Sequence, residues 1–187
     1  MVPHEDDPVV ISVVTVGRRV HRVLIDQGSS IDVMFWVTFN NLQLPPDQLR
    51  PYDGCLFGFV GDQVEVRGHV ELRTTFLDGV SSRTISIKYL VVNVVSAYNL
   101  LVGRPSLNRL GTVASTRHMK MKLSSFEGVM IIIKSDQKAS RKCYENSLKS
   151  RREVCMVITQ AHRPEMITQA KATSDRRPGP VRYIKKY

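Results

Sequence analysis

Val23-Leu24-Ile25-Asp26-Gln27-Gly28-Ser29-Ser30 is the stretch on which the reading of this chain turns. Three aliphatic residues run straight into a carboxylate, and small residues follow it. A carboxylate at the end of a buried strand is costly unless donors surround it. Gly28 and the two serines permit a tight loop. Its backbone N–H groups, together with the Ser29 hydroxyl, are expected to hydrogen-bond Asp26. The plainer alternative is an aspartate that merely closes a strand at a turn.

Working outward, the flanking sequence is rich in strand signals. Val9 to Val16 is dense in β-branched residues, Gly17-Arg18 makes a turn, and Val20 to Ile25 forms a second strand. Ile31 to Phe35 predicts a third strand, and Trp36 to Leu42 a short helix ahead of Pro45-Pro46. Leu56-Phe57 and Val64-Glu65-Val66 flank Gly58-Phe59-Val60-Gly61-Asp62, the pattern of a mobile hairpin with a glycine-bracketed tip. Val70 to Phe76 and Arg83 to Val92 flank Leu77-Asp78-Gly79-Val80, and Asp-Gly is a strong hairpin signal. Ile85, Ile87 and Tyr89 alternate as in a half-buried strand, and Met119, Met121 and Leu123 alternate with Lys120 and Lys122. Glu127-Gly128 turns into Val129 to Ile133, and Pro105 to Leu110 reads as a short helix stopped by Gly111. Short strands with regular turns predict a small closed or sandwiched all-β fold. A faint repetition links Val23–Gly28 with Leu100–Pro105, about 75 residues later: apolar strand, glycine loop, short helix.

The bulk properties bound the functions available. The chain has 187 residues, which suits one domain with tails. Its apolar fraction of 42% is enough for a core. No apolar run approaches the ~18 residues of a membrane helix, and the first seven residues lack the pattern of a secretory signal. The expectation is a soluble, intracellular protein, or a piece of a larger intracellular chain. Cys55, Cys143 and Cys155 are odd in number and form no Cys-x-x-Cys pair, against a disulfide framework or zinc knuckle. The five histidines (His4, His21, His69, His118, His162) include no His-Glu-x-x-His, so no metal is expected. No Gly-x-Ser-x-Gly elbow and no phosphate loop is present.

The net charge of +10 is unevenly spread. Residues 138–187 hold 13 Lys/Arg against 4 Asp/Glu, and residues 1–137 hold 14 against 13. Asp136 is placed to cap a helix running through Ala139, Tyr144 and Leu148. From Ser150 onward the composition is that of a basic, disordered linker. The expected organisation is an N-terminal linker over 1–7, the β domain over 8–134, a short helix or linker over 135–149 and a basic tail over 150–187.

The Asp26 stretch closely resembles the hydrophobic–Asp–Thr–Gly–Ser active-site loop of aspartic proteases. Its continuation, Ile31-Asp32-Val33-Met34-Phe35, is similar to the version in gypsy-type LTR retrotransposon gag-pol polyproteins. Leu56-Phe57-Gly58-Phe59-Val60-Gly61 stands at the place of that family's substrate-covering flap. Ser96-Ala97-Tyr98-Asn99-Leu100-Leu101-Val102-Gly103-Arg104-Pro105 stands at its second conserved loop, apolar–apolar–Gly–Arg. The stretch from Asp136-Gln137-Lys138-Ala139 to Cys143-Tyr144 resembles the segment that leads toward a reverse transcriptase in such polyproteins. The resemblance covers about residues 8 to 149, with three landmarks in the right order.

The resemblance implies a small closed β-barrel of the retropepsin type with one or two short helices. It implies an aspartic endopeptidase subunit with Asp26 as catalytic residue and Gln27, Gly28, Ser29 and Ser30 as the active-site loop. Phe57, Gly58, Phe59, Val60 and Gly61 would be the substrate-binding flap, and Leu101, Val102, Gly103 and Arg104 the second conserved loop, with Arg104 pairing near a dimer interface. Only one Asp-x-Gly is present. The aspartic protease mechanism needs two carboxylates sharing a proton, so the expected unit is a homodimer acting on its own polyprotein in a cytoplasmic retroelement particle. No cofactor and no membrane is implied. The departure is Gln27, where the family has Thr, sometimes Ser. An amide on a longer stem replaces a hydroxyl that normally reaches the partner loop, and an ångström of misplacement lowers rate steeply. A catalytically inactive dimerisation module is therefore one alternative, and weak nucleic-acid contact by the basic tail is another.

Overall fold

Backbone geometry at Val16-Gly17 sets the first hairpin. Both residues have positive φ (52° and 67°), the two-residue turn whose twist suits antiparallel strands. It joins β1 (Val10–Thr15) to β2 (Arg18–Ile25), with Thr15 opposite Arg18. The expected turn at Gly17-Arg18 thus sits one residue earlier. The computed structural model describes residues 7–54, 56–57 and 63–148; the basic tail expected from Ser150 lies outside them.

The chain continues through β3 (Asp32–Phe35), α1 (Trp36–Asn41) and a single 3₁₀ turn at Pro46–Gln48. A two-stranded hairpin follows, β4 (Leu56–Phe57) with β5 (Gln63–Val64). Then come the two longest strands, β6 (Val66–Leu77) and β7 (Ser82–Val92). Their turn is built by Asp78, whose Oδ1 accepts the N–H groups of Val80 and Ser81 at 3.0 and 2.9 Å. The predicted alternation holds: Ile85, Ile87 and Tyr89 are all buried. β8 (Leu100–Val102) leads into α2 (Arg104–Leu110), which ends at Gly111 in the left-handed conformation, as a glycine stop requires.

Six strands close into a barrel in the order β1-β2-β8-β3-β7-β6, with β6 returning to β1. The fold is mostly β with few helices, as expected. Strand β8 is the element that matters for the site. It inserts between β2, to which it runs parallel, and β3, to which it runs antiparallel. Ile25 lies opposite Val102, so the chain after β2 and the chain after β8 leave the sheet side by side.

A second sheet of β9 (Val113–Ser115), β10 (Lys120–Ser124) and β11 (Met130–Lys134) packs on the barrel. Met121, Leu123, Ile131 and Ile133 point inward and join the same core cluster as Val23, Met34 and Val102. β9 is not foreshadowed by its sequence, because three residues carry no period and pairing with β10 makes them a strand. A helix over 137–148 follows, capped by the Asp136 carboxylate on the Ala139 N–H at 3.1 Å. It is docked on the barrel: Cys143 is buried, Asp136 N–H donates to Val10 O at 3.0 Å, and Arg141 lies 3.6 Å from the Asp7 carboxylate.

Candidate active site

Asp26 stands at the end of β2, half-buried, where the strand leaves the sheet. Its N–H still pairs across the sheet, with Val102 O at 3.0 Å. The chain then turns sharply, with Ser29 N–H donating to Asp26 O at 3.4 Å. The Gly28 N–H donates to Asp26 Oδ1 at 2.8 Å, as the loop sequence predicts. The Ser29 hydroxyl does something different from expectation. It donates to Ile31 O at 2.9 Å, two residues ahead, and so stiffens the second half of the loop rather than holding the carboxylate. A serine side chain is short, and its own backbone two residues on is the nearest acceptor. Gln27, Gly28 and Ser30 are exposed. Gln27 turns its amide to its own chain, with Nε2 donating to Ala114 O in β9 at 3.1 Å.

The second conserved loop packs against the first from the neighbouring strand. Val102 is fully buried and Leu101 partly so. Arg104 N–H donates to Ser29 O at 2.9 Å. Gly103 admits no side chain: a Cβ there would collide with the Ile31 carbonyl oxygen and stand 2.9 Å from Ser29 O. This is the close backbone approach expected of that glycine. The Arg104 guanidinium is exposed and has no partner among the described residues.

One site residue escaped notice as such. Asp32 opens β3 and is only 5% exposed. Its Oδ1 accepts the Gly103 N–H and its Oδ2 the Ser106 hydroxyl, both at 2.8 Å. Burial pushes its carboxyl pKa up. The Gly103 N–H, the Ser106 hydroxyl and the nearby Arg109 charge all oppose that shift. The signal was present in the sequence: a lone carboxylate inside Ile31-Asp32-Val33-Met34-Phe35 demands buried donors. Beside this anchor lies a cavity of about 280 Å³, lined by Ser30, Ile31, Tyr52, Lys88, Pro105 and Arg109. A larger cavity of about 410 Å³, between Ile11, Arg19, Asp78 and Lys134, touches none of the loop residues.

Of the expected flap, Phe57 is placed: it lies in β4 opposite Gln63 and is 64% exposed. Gly58, Phe59, Val60 and Gly61 lie outside the described residues. Among the described residues, no group of three or more His, Cys, Asp or Glu is positioned to hold a metal ion.

Comparison with solved structures assigns the architecture. The retroviral protease-like domain of Ddi1 from Leishmania major matches with a TM-score of 0.53 and 16% identity, over 69% of this chain and 94% of that one. The fold is retropepsin-like. The EIAV protease bound to an inhibitor matches at a TM-score of 0.43 and 22% identity, over 59% of this chain and 94% of that one. A retropepsin-like aspartic protease from Rickettsia conorii gives 0.43 and 12%, over 71% and 87%. No family model matches the sequence, and no curated protein does. In this retropepsin-like barrel, Asp26 is the half-exposed carboxylate that follows β2, and Asp32 is the buried one that opens β3.

Proposed function

We propose that the chain is one subunit of a homodimeric aspartic endopeptidase, in which Asp26 and its symmetry mate share one proton. The observation that carries the reading is the placement of Asp26. It is the half-exposed carboxylate that ends β2 of a retropepsin-like barrel, on a loop braced by residues 102–104 and held by the Gly28 N–H. One carboxylate per chain cannot act alone as both base and acid. A two-fold axis supplies the second. In the pair, one Asp26 takes a proton from a bound water while the other protonates the scissile carbonyl oxygen. The two titrate as a unit, because adjacent like charges do not both ionise. Phe57 and the hairpin it starts would cover an extended peptide and exclude water. The substrate we propose is the polyprotein of a gypsy-type retroelement that contains this chain, cleaved within an intracellular particle.

The second reading is an inactive dimerisation module, and the Gln27 contact favours it. The side chain that follows the catalytic Asp is engaged with Ala114 O of its own chain. The test is peptide cleavage at mildly acidic pH by a dimer verified by sedimentation, beside Gln27→Thr and Asp26→Asn. We expect Gln27→Thr to raise turnover and Asp26→Asn to lower it by at least about 10³-fold, the scale of acid–base catalysis. A verified dimer that cleaves nothing, with Gln or with Thr, sinks the enzyme reading and leaves the assembly module. If Thr cleaves no better than Gln in an active dimer, Gln27 is not the defect.

A further inference from the structure

Three consecutive residues, Val102, Gly103 and Arg104, each tie down a different part of the loop that carries Asp26. Val102 O takes the Asp26 N–H, and Arg104 N–H donates to Ser29 O. Both are backbone pairs that no side-chain change removes. The third tie is different, because the Gly103 N–H donates to a side chain, Asp32 Oδ1, at 2.8 Å. The other oxygen of that carboxylate holds Ser106 of α2 at 2.8 Å. Asp32 is the first residue of β3, so the Asp26 loop is pinned at its start by Val102, at its middle by Arg104 and at its end by Asp32.

From this geometry we infer that Asp32 is the positioning residue of the site: its buried carboxylate clamps the end of the Asp26 loop onto Gly103 and α2, and so sets where Asp26 is presented. This role rests on the proposed function only for its catalytic consequence. A carboxylate is an expensive way to fill a buried position. An apolar side chain of similar size would pack there without desolvation cost, but would leave the Gly103 N–H and the Ser106 hydroxyl without acceptors. What the carboxylate adds is direction, since two short hydrogen bonds from different elements fix the loop end in two dimensions.

The role separates from plain stability through its isostere. Asn at position 32 keeps an acceptor for the Gly103 N–H, and its amide donates to the Ser106 oxygen, because a hydroxyl works in either direction. Asp32→Asn should therefore preserve the clamp, while Asp32→Val abolishes it and Ser106→Ala cuts half of it. Amide hydrogen exchange of the full chain reads the clamp without reference to activity. In Ser106→Ala and Asp32→Val, the amides of Asp26, Gly103 and Arg104 should exchange at least about tenfold faster than in the parent, the size of one lost charge-assisted hydrogen bond. Amides of the β6–β7 hairpin should stay within about twofold, and Asp32→Asn should keep the Asp26, Gly103 and Arg104 amides better protected than Asp32→Val or Ser106→Ala does. If Asp32→Val does not fold, Ser106→Ala carries the test alone. Unchanged exchange at Asp26, Gly103 and Arg104 in Ser106→Ala overturns the inference. So does an increase shared equally by the β6–β7 amides, or a failure of Asn to preserve protection. Where the dimer cleaves peptide, Ser106→Ala should lower kcat with little change in KM, and Asp32→Asn should retain more of kcat than Asp32→Val. A chain without any cleavage refutes the enzyme reading but leaves the exchange result to decide the clamp.

Discussion

The two halves of the site begin alike and end differently. β2 and β8 run parallel in register, Ile25 beside Val102, so the next residues, Asp26 and Gly103, occupy equivalent places. Each opens a loop that leads towards a short helix, α1 after β3 in one case and α2 directly in the other. The first half carries a carboxylate and keeps it half-exposed. The second carries a glycine so tightly packed that no side chain fits. Gly103 packs directly on the backbone of the first half, so the second half braces the loop that carries Asp26.

The sharpest way to break that comparison is to add one methyl group to each half. Gly103→Ala drives a Cβ into the Ile31 carbonyl and close to Ser29 O, both backbone atoms that cannot step aside singly. We expect a loss of about 3 kcal/mol, the upper end of overpacking. At Gly28 the added Cβ meets only the Asp26 Oδ1, at 3.2 Å, and its backbone needs no positive φ. Gly28→Ala should change stability by less than about 1 kcal/mol, with some gain from a stiffer unfolded chain. Denaturant titration of the two variants at one protein concentration makes the measurement. Equal losses would mean that the halves are packed alike and would remove the distinction.

A smaller effect should come from the far end of the bracing half. Arg83 reaches from β7 to the last turn of α2, where Nη1 donates to Leu110 O at 3.0 Å and Nη2 to Arg109 O at 3.1 Å. The same Nη1 also holds Ser124 O of β10 at 2.8 Å. Its guanidinium stacks over Phe126 with 5.0 Å to the ring centroid. α1 has no basic residue in its own last turn, and among the described residues its end is held by a single guanidinium contact to a carbonyl, from Arg18 Nη1 to Asn41 O at 3.1 Å. Arg83→Ala should cost about 2 kcal/mol, the scale of charged hydrogen bonds to orphaned carbonyls. Replacing an exposed residue of α1, such as Asn40, should cost less than about 0.5 kcal/mol. A thermal shift for Arg83→Ala no larger than that for Asn40→Ala would show that α2 does not depend on this cap.

Local chemistry was legible and long-range chemistry was not. Alternation at Ile85, Ile87 and Tyr89, the Asp78-Gly79 turn, the Gly111 stop and the Asp136 cap are each set within a few residues, and each stands where its pattern predicts. The loop sequence also predicts the Gly28 N–H on Asp26, again a contact of two residues. The Asp32 clamp spans 71 and 74 residues, so nothing near Asp32 names its partners. β9 exists because β10 pairs with it, and the Gln27 contact with Ala114 depends on that strand being present. The Ser29 hydroxyl has two acceptors at similar sequence distance, the Asp26 carboxylate and Ile31 O, and only the loop's dihedral angles decide between them.

The subtlest effect at the bracing carboxylate, Asp32, is one of pH. Asp32 is pushed above its ordinary value of 3.8, with burial as the largest cause. Its folded-state pKa therefore exceeds its unfolded one, and the folded protein holds the proton more tightly. The stability this supplies is fully present below the unfolded value and is lost as pH rises through the raised folded value. Asn at position 32 has no proton to hold and the same hydrogen-bonding reach, so the variant lacks this dependence. Wild type and Asp32→Asn should thus diverge in one direction, with the Asn chain gaining relative stability as pH rises from the ordinary carboxyl value of 3.8 through the raised folded value, and the gap constant above it. Paired denaturant titrations across that range would read the gap directly. A constant offset would mean that Asp32 titrates normally despite its burial, and a gap closing as pH rises would mean that the Gly103 and Ser106 donors outweigh desolvation. In the second case the carboxylate would stabilise the neutral-pH fold as well as aim the loop, and the contrast between a half-exposed Asp26 and a costly but directional Asp32 would have to be redrawn.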